Sequence, residues 1–204
     1  MGGASGPEIP KCIGVKRIVA FATARQLGLT ALFAMSVSTA VAEDMLTDRF
    51  EDSPETRWRF FTDGVMGGVS TGGAGLLRES DKVFVRLQGQ VSTDNNGGFI
   101  QIRRELRETV PQDATGVRIV VRGNGEQYYI HLRTRGTRMP WQYYQTPFET
   151  DGNWSELHLP FDHFEPSGRW LAERPDPQKL VSLGIVAYGR DHVAELDVRE
   201  IGFY

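Results

Sequence analysis

Residues 82–91 read KVFVRLQGQV, and the alternation in this stretch decides the fold class. Val83, Val85, Leu87 and Val91 fall on one face and Lys82, Arg86, Gln88 and Gln90 on the other, the period of two that a half-buried β-strand requires. The same period recurs in residues 97–103 (GGFIQIR), 116–122 (GVRIVVR), 127–133 (QYYIHLR), 154–159 (WSELHL), 181–187 (VSLGIVA) and 194–204 (AELDVREIGFY). Turn-forming clusters separate them: DNNGG at 94–98, GNG at 123–125, DGN at 151–153 and PDP at 175–177. After Ala42 no window of a dozen residues carries a helical stripe. About nine or ten short strands at this spacing predict an all-β antiparallel β-sandwich, with a barrel as the alternative.

The chain has 204 residues, 24 % of them charged and 40 % hydrophobic, which suits one globular domain and not a disordered polymer. Its 23 Lys and Arg against 26 Asp and Glu give a net charge of −3, the wrong sign for a nucleic-acid surface. Cys12 is the only cysteine, so a disulfide framework, a cysteine zinc site and a catalytic thiol are all excluded from the body of the chain. Lys11, Lys16, Arg17 and Arg25 precede the apolar run 27–37 (LGLTALFAMSV), and Ala40, Val41 and Ala42 follow it. That order predicts a signal peptide over residues 1–42, cut after Ala42, with an uncleaved anchor as the alternative. The domain then spans 43–204, carries −6 and no thiol, and is expected in the periplasm or outside the cell. No later segment approaches 18 consecutive apolar residues, so the mature chain has no membrane span.

Charge is uneven along that domain. Residues 43–102 sum to −4, 103–138 to +4 with eight Arg against four acids, and 139–204 to −6. Pairing between sandwich strands accounts for such a pattern, and so does a binding role for the arginines.

Residues 63–73 read DGVMGGVSTGG. The segment lacks the Lys-Ser/Thr of a phosphate-binding loop, so it reads as a tight turn in which Asp63, Met66, Gly67, Gly68 and Ser70 carry the motif. Gly67 and Gly68 are expected at positive φ, and Val65, Met66 and Val69 are expected to pack inward. The histidines His131, His158, His163 and His192 show no metal-binding spacing, and no GxSxG elbow is present. No catalytic residue, metal site or cofactor is assigned. Asp48, Glu51, Asp52 and Asp197, near the two ends of the domain, carry oxygens of the kind that hold Ca²⁺.

A binding face is the stronger candidate. Tyr129, His131 and Arg133 lie opposite Tyr128, Ile130 and Leu132, while Gln101 and Arg103 lie opposite Ile100 and Ile102. Aromatic, amide and guanidinium groups on one sheet face suit a peptide segment or a sugar.

The order Trp58, Asp63 to Ser70 (DGVMGGVS), Gly97 to Arg103, Val121 to Gly125 (VRGNG), Tyr128, Tyr144 to Thr150 (YQTPFET), Trp154, Leu159 to Phe164 (LPFDHF) and Ile201 to Tyr204 resembles the complex I intermediate-associated protein 30 (CIA30) family from about Leu46 onward. The resemblance implies a galactose-binding-like jelly-roll fold and a non-catalytic role. It implies a protein-binding assembly factor or chaperone related to those of respiratory complex I (NADH:ubiquinone oxidoreductase), with a protein or assembly intermediate as partner. The alternative is a periplasmic carbohydrate-binding module with a glycan ligand.

Overall fold

The computed structural model describes residues 46–204; the expected signal peptide and its cleavage after Ala42 lie outside the described residues. In chain order the strands are β1 (Trp58–Thr62), β2 (Thr71–Glu79), β3 (Lys82–Val91), β4 (Phe99–Glu105), β5 (Gly116–Gly123), β6 (Gln127–Thr134), β7 (Tyr144–Glu149), β8 (Ser155–Pro160), β9 (Glu165–Pro166), β10 (Leu180–Tyr188) and β11 (His192–Phe203). They form a six-stranded sheet, β1-β4-β10-β6-β7-β9, and a five-stranded sheet, β2-β3-β11-β5-β8. Every pairing is antiparallel. Each sheet keeps two free edges, so the molecule is a jelly-roll sandwich and the barrel alternative falls. Among the described residues no helix is long and apolar enough to cross a membrane.

The seven stretches read from alternation are strands, with ends displaced by at most two residues. Four strands escaped that reading, β1, β2, β7 and β9, and two of them show the physical reason. Strand β2 (TGGAGLLRE) is exposed over most of its length, so no burial pattern marks it; backbone pairing along β3 from Thr71 to Glu79 holds it. Strand β7 contains Pro147, which is tolerated there because only the two-residue β9 lies outside it.

The core lies between the sheets. Ile100, Ile102, Ile130, Leu132, Leu183 and Ile185 from the six-stranded sheet meet Leu87, Ile119, Val121, Leu196 and Val198 from the other, all buried, as two sheets about 10 Å apart demand. Tyr128 is fully buried. Its hydroxyl donates to Asn124 Oδ1 at 2.7 Å and accepts from the Glu195 N–H at 2.9 Å, so the ring fills the core while its polar end ties β6 to β11.

Two carboxylates expected to offer oxygens to Ca²⁺ are taken up by arginines instead. Asp48 is buried and accepts from Arg57, Arg104, the Trp58 indole and the Phe50 N–H, at 2.8 to 3.1 Å. Asp197 is equally buried and is gripped by Arg86 at 2.6 and 2.8 Å and by Arg122 at 2.8 Å. Asp48 receives five N–H donors and Asp197 three, all of the latter from two guanidinium groups, so positive charge already occupies both and neither is open to a cation. Much of the basic zone is explained by such pairing: Arg118 reaches Glu156 and Glu200, and Arg122 also reaches Glu79.

Candidate functional site

The central strand β10 is buried on both faces, and this shapes the outer surface of the six-stranded sheet. Its outward residues are Ser182, Gly184 and Val186, all small and all buried. In register beside them, Gly184 lies between Arg103 of β4 and His131 of β6, Val186 between Gln101 and Tyr129, and Ser182 between Glu105 and Arg133. Small residues along one strand and long ones on both neighbours make a trough, whose floor the flanking side chains cover. Gln101 and Arg103 form one wall; Tyr129, His131 and Arg133 form the other. The five residues singled out from the two alternating strands therefore come together across one shallow depression. A Cβ at Gly184 would sit 3.3 Å from Gln101 Oε1, so a larger residue there would push into the depression.

Aromatic rings line the β6 side. His131 stacks on Tyr143 at 4.1 Å with 12° between planes, and Tyr129 stands edge-on to Tyr188 at 5.8 Å and 89°. On the β4 side the Arg103 guanidinium lies 4.8 Å from the centre of the Phe61 ring. The Tyr129 hydroxyl donates to Gln127 Oε1 at 2.8 Å. Arg133 donates to the carbonyls of Met139 and Thr137 at 3.1 and 3.3 Å, so it also fastens the loop between β6 and β7. That loop exposes Met139 and Trp141, and Ser167, which follows β9, donates to the Trp141 carbonyl at 2.8 Å. Trp170, three residues further on, is 93 % exposed.

Three buried polar atoms of the trough, His131 Nε2, Arg133 Nε and Gln145 Oε1, make no well-formed hydrogen bond, although the Gln145 side chain acts on His131 as a hydrogen-bonding neighbour. Gln145 pairs with His131 across β6 and β7. Native structures leave few such groups unmatched. Burial pushes His131 down to about 3, against a smaller opposing effect of Gln145, so the imidazole is neutral at physiological pH. Because the folded value lies below the unfolded 6.5, this group's contribution to stability is complete above the unfolded value and is lost as pH falls from there toward 3. Urea unfolding of the protein should show a loss of about 2 kcal/mol between pH 7 and pH 4.5, and His131→Gln should flatten that slope; an unchanged slope would contradict the burial of the ring.

The glycine-rich loop has a different role from the trough. Asp63 is fully buried, and its carboxylate accepts from Ser70 N at 3.0 Å, Ser70 Oγ at 2.5 Å, Gly98 N at 2.6 Å and Phe99 N at 3.3 Å. Burial alone would raise its pKa, but the Gly98, Ser70 and Phe99 donors together hold it below the usual carboxylate range. Only one of the two expected positive-φ glycines has that geometry: Gly67, at φ 90°, caps the short turn 63–66. Gly68 is needed for a different reason, since a Cβ there would fall 2.3 Å from the Asp63 carboxyl carbon. The expectation that Val65, Met66 and Val69 pack inward is overturned. They are 72 %, 61 % and 47 % exposed, because the interior of the loop is filled by the Asp63 carboxylate and its donors.

Several residues of the trough were not singled out from the sequence. Tyr143 and Gln145 alternate within YYQTPF and were open to the same argument as Tyr129 and His131. Ser182, Gly184 and Val186 had no such signal, since small residues on a strand fully buried on both faces look like core. On the opposite sheet, Trp154 is held between Arg199 and Arg122, 4.0 and 4.6 Å from its ring, with Glu79 accepting from its indole at 3.2 Å; the charges pair within this cluster, although Arg199 Nε has no hydrogen-bond partner. Among the described residues no group of three His, Cys, Asp or Glu stands together to hold a metal.

The family 11 carbohydrate-binding module of the cellulosomal cellulase Lic26A-Cel5E of Clostridium thermocellum is similar in structure, with a TM-score of 0.63 and 13 % identity over 78 % of this chain and 92 % of that one. The family 11 module from Clostridium thermocellum in complex with a β-1,3-1,4-mixed-linked tetrasaccharide gives 0.61 and 13 % over 76 % and 92 %. An exo-β-agarase gives 0.51 and 8 %, over 78 % of this chain and 24 % of the enzyme. At these identities the likeness is one of fold. No curated protein sequence matches the chain. The sequence profile of complex I intermediate-associated protein 30 matches residues 49–198, from the segment before β1 into β11. The chain belongs to the complex I intermediate-associated protein 30 (CIA30) family.

Proposed function

We propose that this CIA30-family chain is a non-catalytic binding domain that docks a protein partner, an assembly intermediate of the kind the family's name describes, against the trough of its six-stranded sheet. The observation that carries this reading is the meeting of Gln101, Arg103, Tyr129, His131 and Arg133 in register on one outer sheet face, with the small residues of β10 between them. The surroundings support a protein ligand. Exposed Met139, Trp141 and Trp170 flank the sheet, and Met, aromatic residues and Arg are the types enriched in protein interfaces. The perpendicular Tyr129 and Tyr188 rings offer knobs and notches more than a flat stacking platform. The reading includes export, supported by the apolar run 27–37 and the Ala40-Val41-Ala42 site, so the partner is met in the periplasm or outside the cell. A glycan is the second reading, supported by the aromatic, amide and guanidinium groups that share the face.

Affinity for a protein captured by pull-down with the full chain tests the proposal. Tyr129→Ala should weaken it by about 1–3 kcal/mol, as anchors at interface centres do. A variant that folds and keeps full affinity would contradict the assignment of the trough. Saturable binding of a mixed-linked glucan tetrasaccharide that competes with the partner would favour the glycan.

A further inference from the structure

Not all arginines of the basic zone are absorbed by internal pairing. Arg57, just before β1, and Arg59 on β1, Arg103 and Arg104 on β4, and Arg107 just beyond β4 line a single cleft of about 370 Å³ at the β1 edge of the six-stranded sheet. Asp48 neutralises only part of this charge, because it alone serves both Arg57 and Arg104. Arg103 is 3.5 Å from Glu105, a contact on the surface and of small energetic weight. Arg59 and Arg107 are exposed and meet no carboxylate within ion-pairing distance among the described residues. Arg57 and Arg104 share Asp48, and Asp52 and Glu55 also lie near Arg57, so the excess positive charge of the cleft rests on Arg59, Arg103 and Arg107 against Glu105 and Glu108. Such a concavity focuses potential toward anions.

The cleft is continuous with the trough, since Arg103 belongs to both: it walls the trough opposite His131 and lines the cleft beside Arg59. We propose that the arginine cleft is an anion subsite that takes the carboxylates of an acidic, extended segment of the protein partner as that segment leaves the trough over β1. The proposal rests on the docking reading above and names the chemistry of what docks. Arginine forks match carboxylates in shape and stay charged at any physiological pH. Arg59 faces Arg103 directly across β1 and β4, and Arg107 lies four residues along the chain beyond Arg103, so the charge spreads from that pair along the chain to Arg107. Charge spread in this way suits carboxylates spaced along a chain better than one compact anion, which would also meet Glu105 and Glu108.

The test titrates the full chain with an N-acetylated hexaglutamate peptide, following the Nε–Hε resonances of its arginines, with inorganic sulfate and tetragalacturonate as parallel probes. Hexaglutamate should bind saturably, shift the Arg59 and Arg107 resonances, and weaken as salt rises, because exposed charges are screened beyond about 10 Å at 0.1 M. The double variant R59E/R107E should lose at least about tenfold in affinity, comparable to an interface anchor, and R59Q/R107Q should lose less. Both variants should fold, since neither arginine is paired. Equal affinity of wild type and R59E/R107E would overturn the subsite. Sulfate binding as tightly as the peptide would overturn the extended segment, and tighter tetragalacturonate binding would reassign the cleft to an acidic glycan. Tyr129→Ala separates the two ideas: full partner affinity in that variant, with hexaglutamate binding still lost in R59E/R107E, would sink the docking reading and leave the cleft standing.

Discussion

Asp63→Ala is expected to destabilise the domain by about 3–5 kcal/mol, since several buried donors lose their acceptor at about 1–3 kcal/mol each. The carboxylate sits at the centre of the loop between β1 and β2, and it receives donors from Ser70, Gly98 and Phe99. Alanine would leave three backbone N–H groups and one hydroxyl facing a cavity, each at a desolvation cost. Two chain segments would come apart together, because the Gly98 and Phe99 contacts are what bind the β4 entry to the glycine loop. Urea midpoints of wild type and variant measure the effect. A change below about 1 kcal/mol would mean that water replaces the carboxylate at little cost, and the loop's sequence would then need another explanation. The effect on partner binding should be secondary, since Asp63 reaches no residue of the trough walls through any of these bonds.

Ile130→Ala is expected to cost about 2–5 kcal/mol, as truncation of a fully buried aliphatic side chain does. Ile130 is 0 % exposed and faces the interior from the middle of β6. Its chain neighbour Tyr129 points the other way, half-buried against Tyr188. Tyr129→Ala should therefore cost about 1 kcal/mol of stability, the scale of one aromatic pair. Arg133→Ala falls between these two, because it releases the Thr137 and Met139 carbonyls along with the loop they hold. Equal destabilisation by Ile130→Ala and Tyr129→Ala would invert the assignment of inside and outside on this strand.

The sequence was most legible where a strand has one wet face. In β3, β4 and β6 the alternation marks inside and outside together, and it placed Gln101, Arg103, Tyr129, His131 and Arg133 on the outer face where the structure has them. Legibility failed where burial is uniform. In β10 both faces are covered, so Ser182, Gly184 and Val186 look like core, and the floor of the trough could not be told from the interior. It failed again at β2, which is nearly all exposed. In the glycine loop the motif was visible but its cause was not: the residues crowd around a buried Asp63, and this reverses the expected direction of Val65, Met66 and Val69. Alternation cannot report that, because it carries no information on where a turn buries a polar group.

Site-specific photo-cross-linking can show which sheet the partner touches. A photoreactive residue at Gln101, on the trough wall, is compared with one at Gln88, exposed on the outer face of the five-stranded sheet. The partner should be captured from position 101 and not from position 88, and unlabelled protein should compete the product away. Capture from position 88 with none from position 101 would place the binding surface on the opposite sheet and rule out docking at the trough.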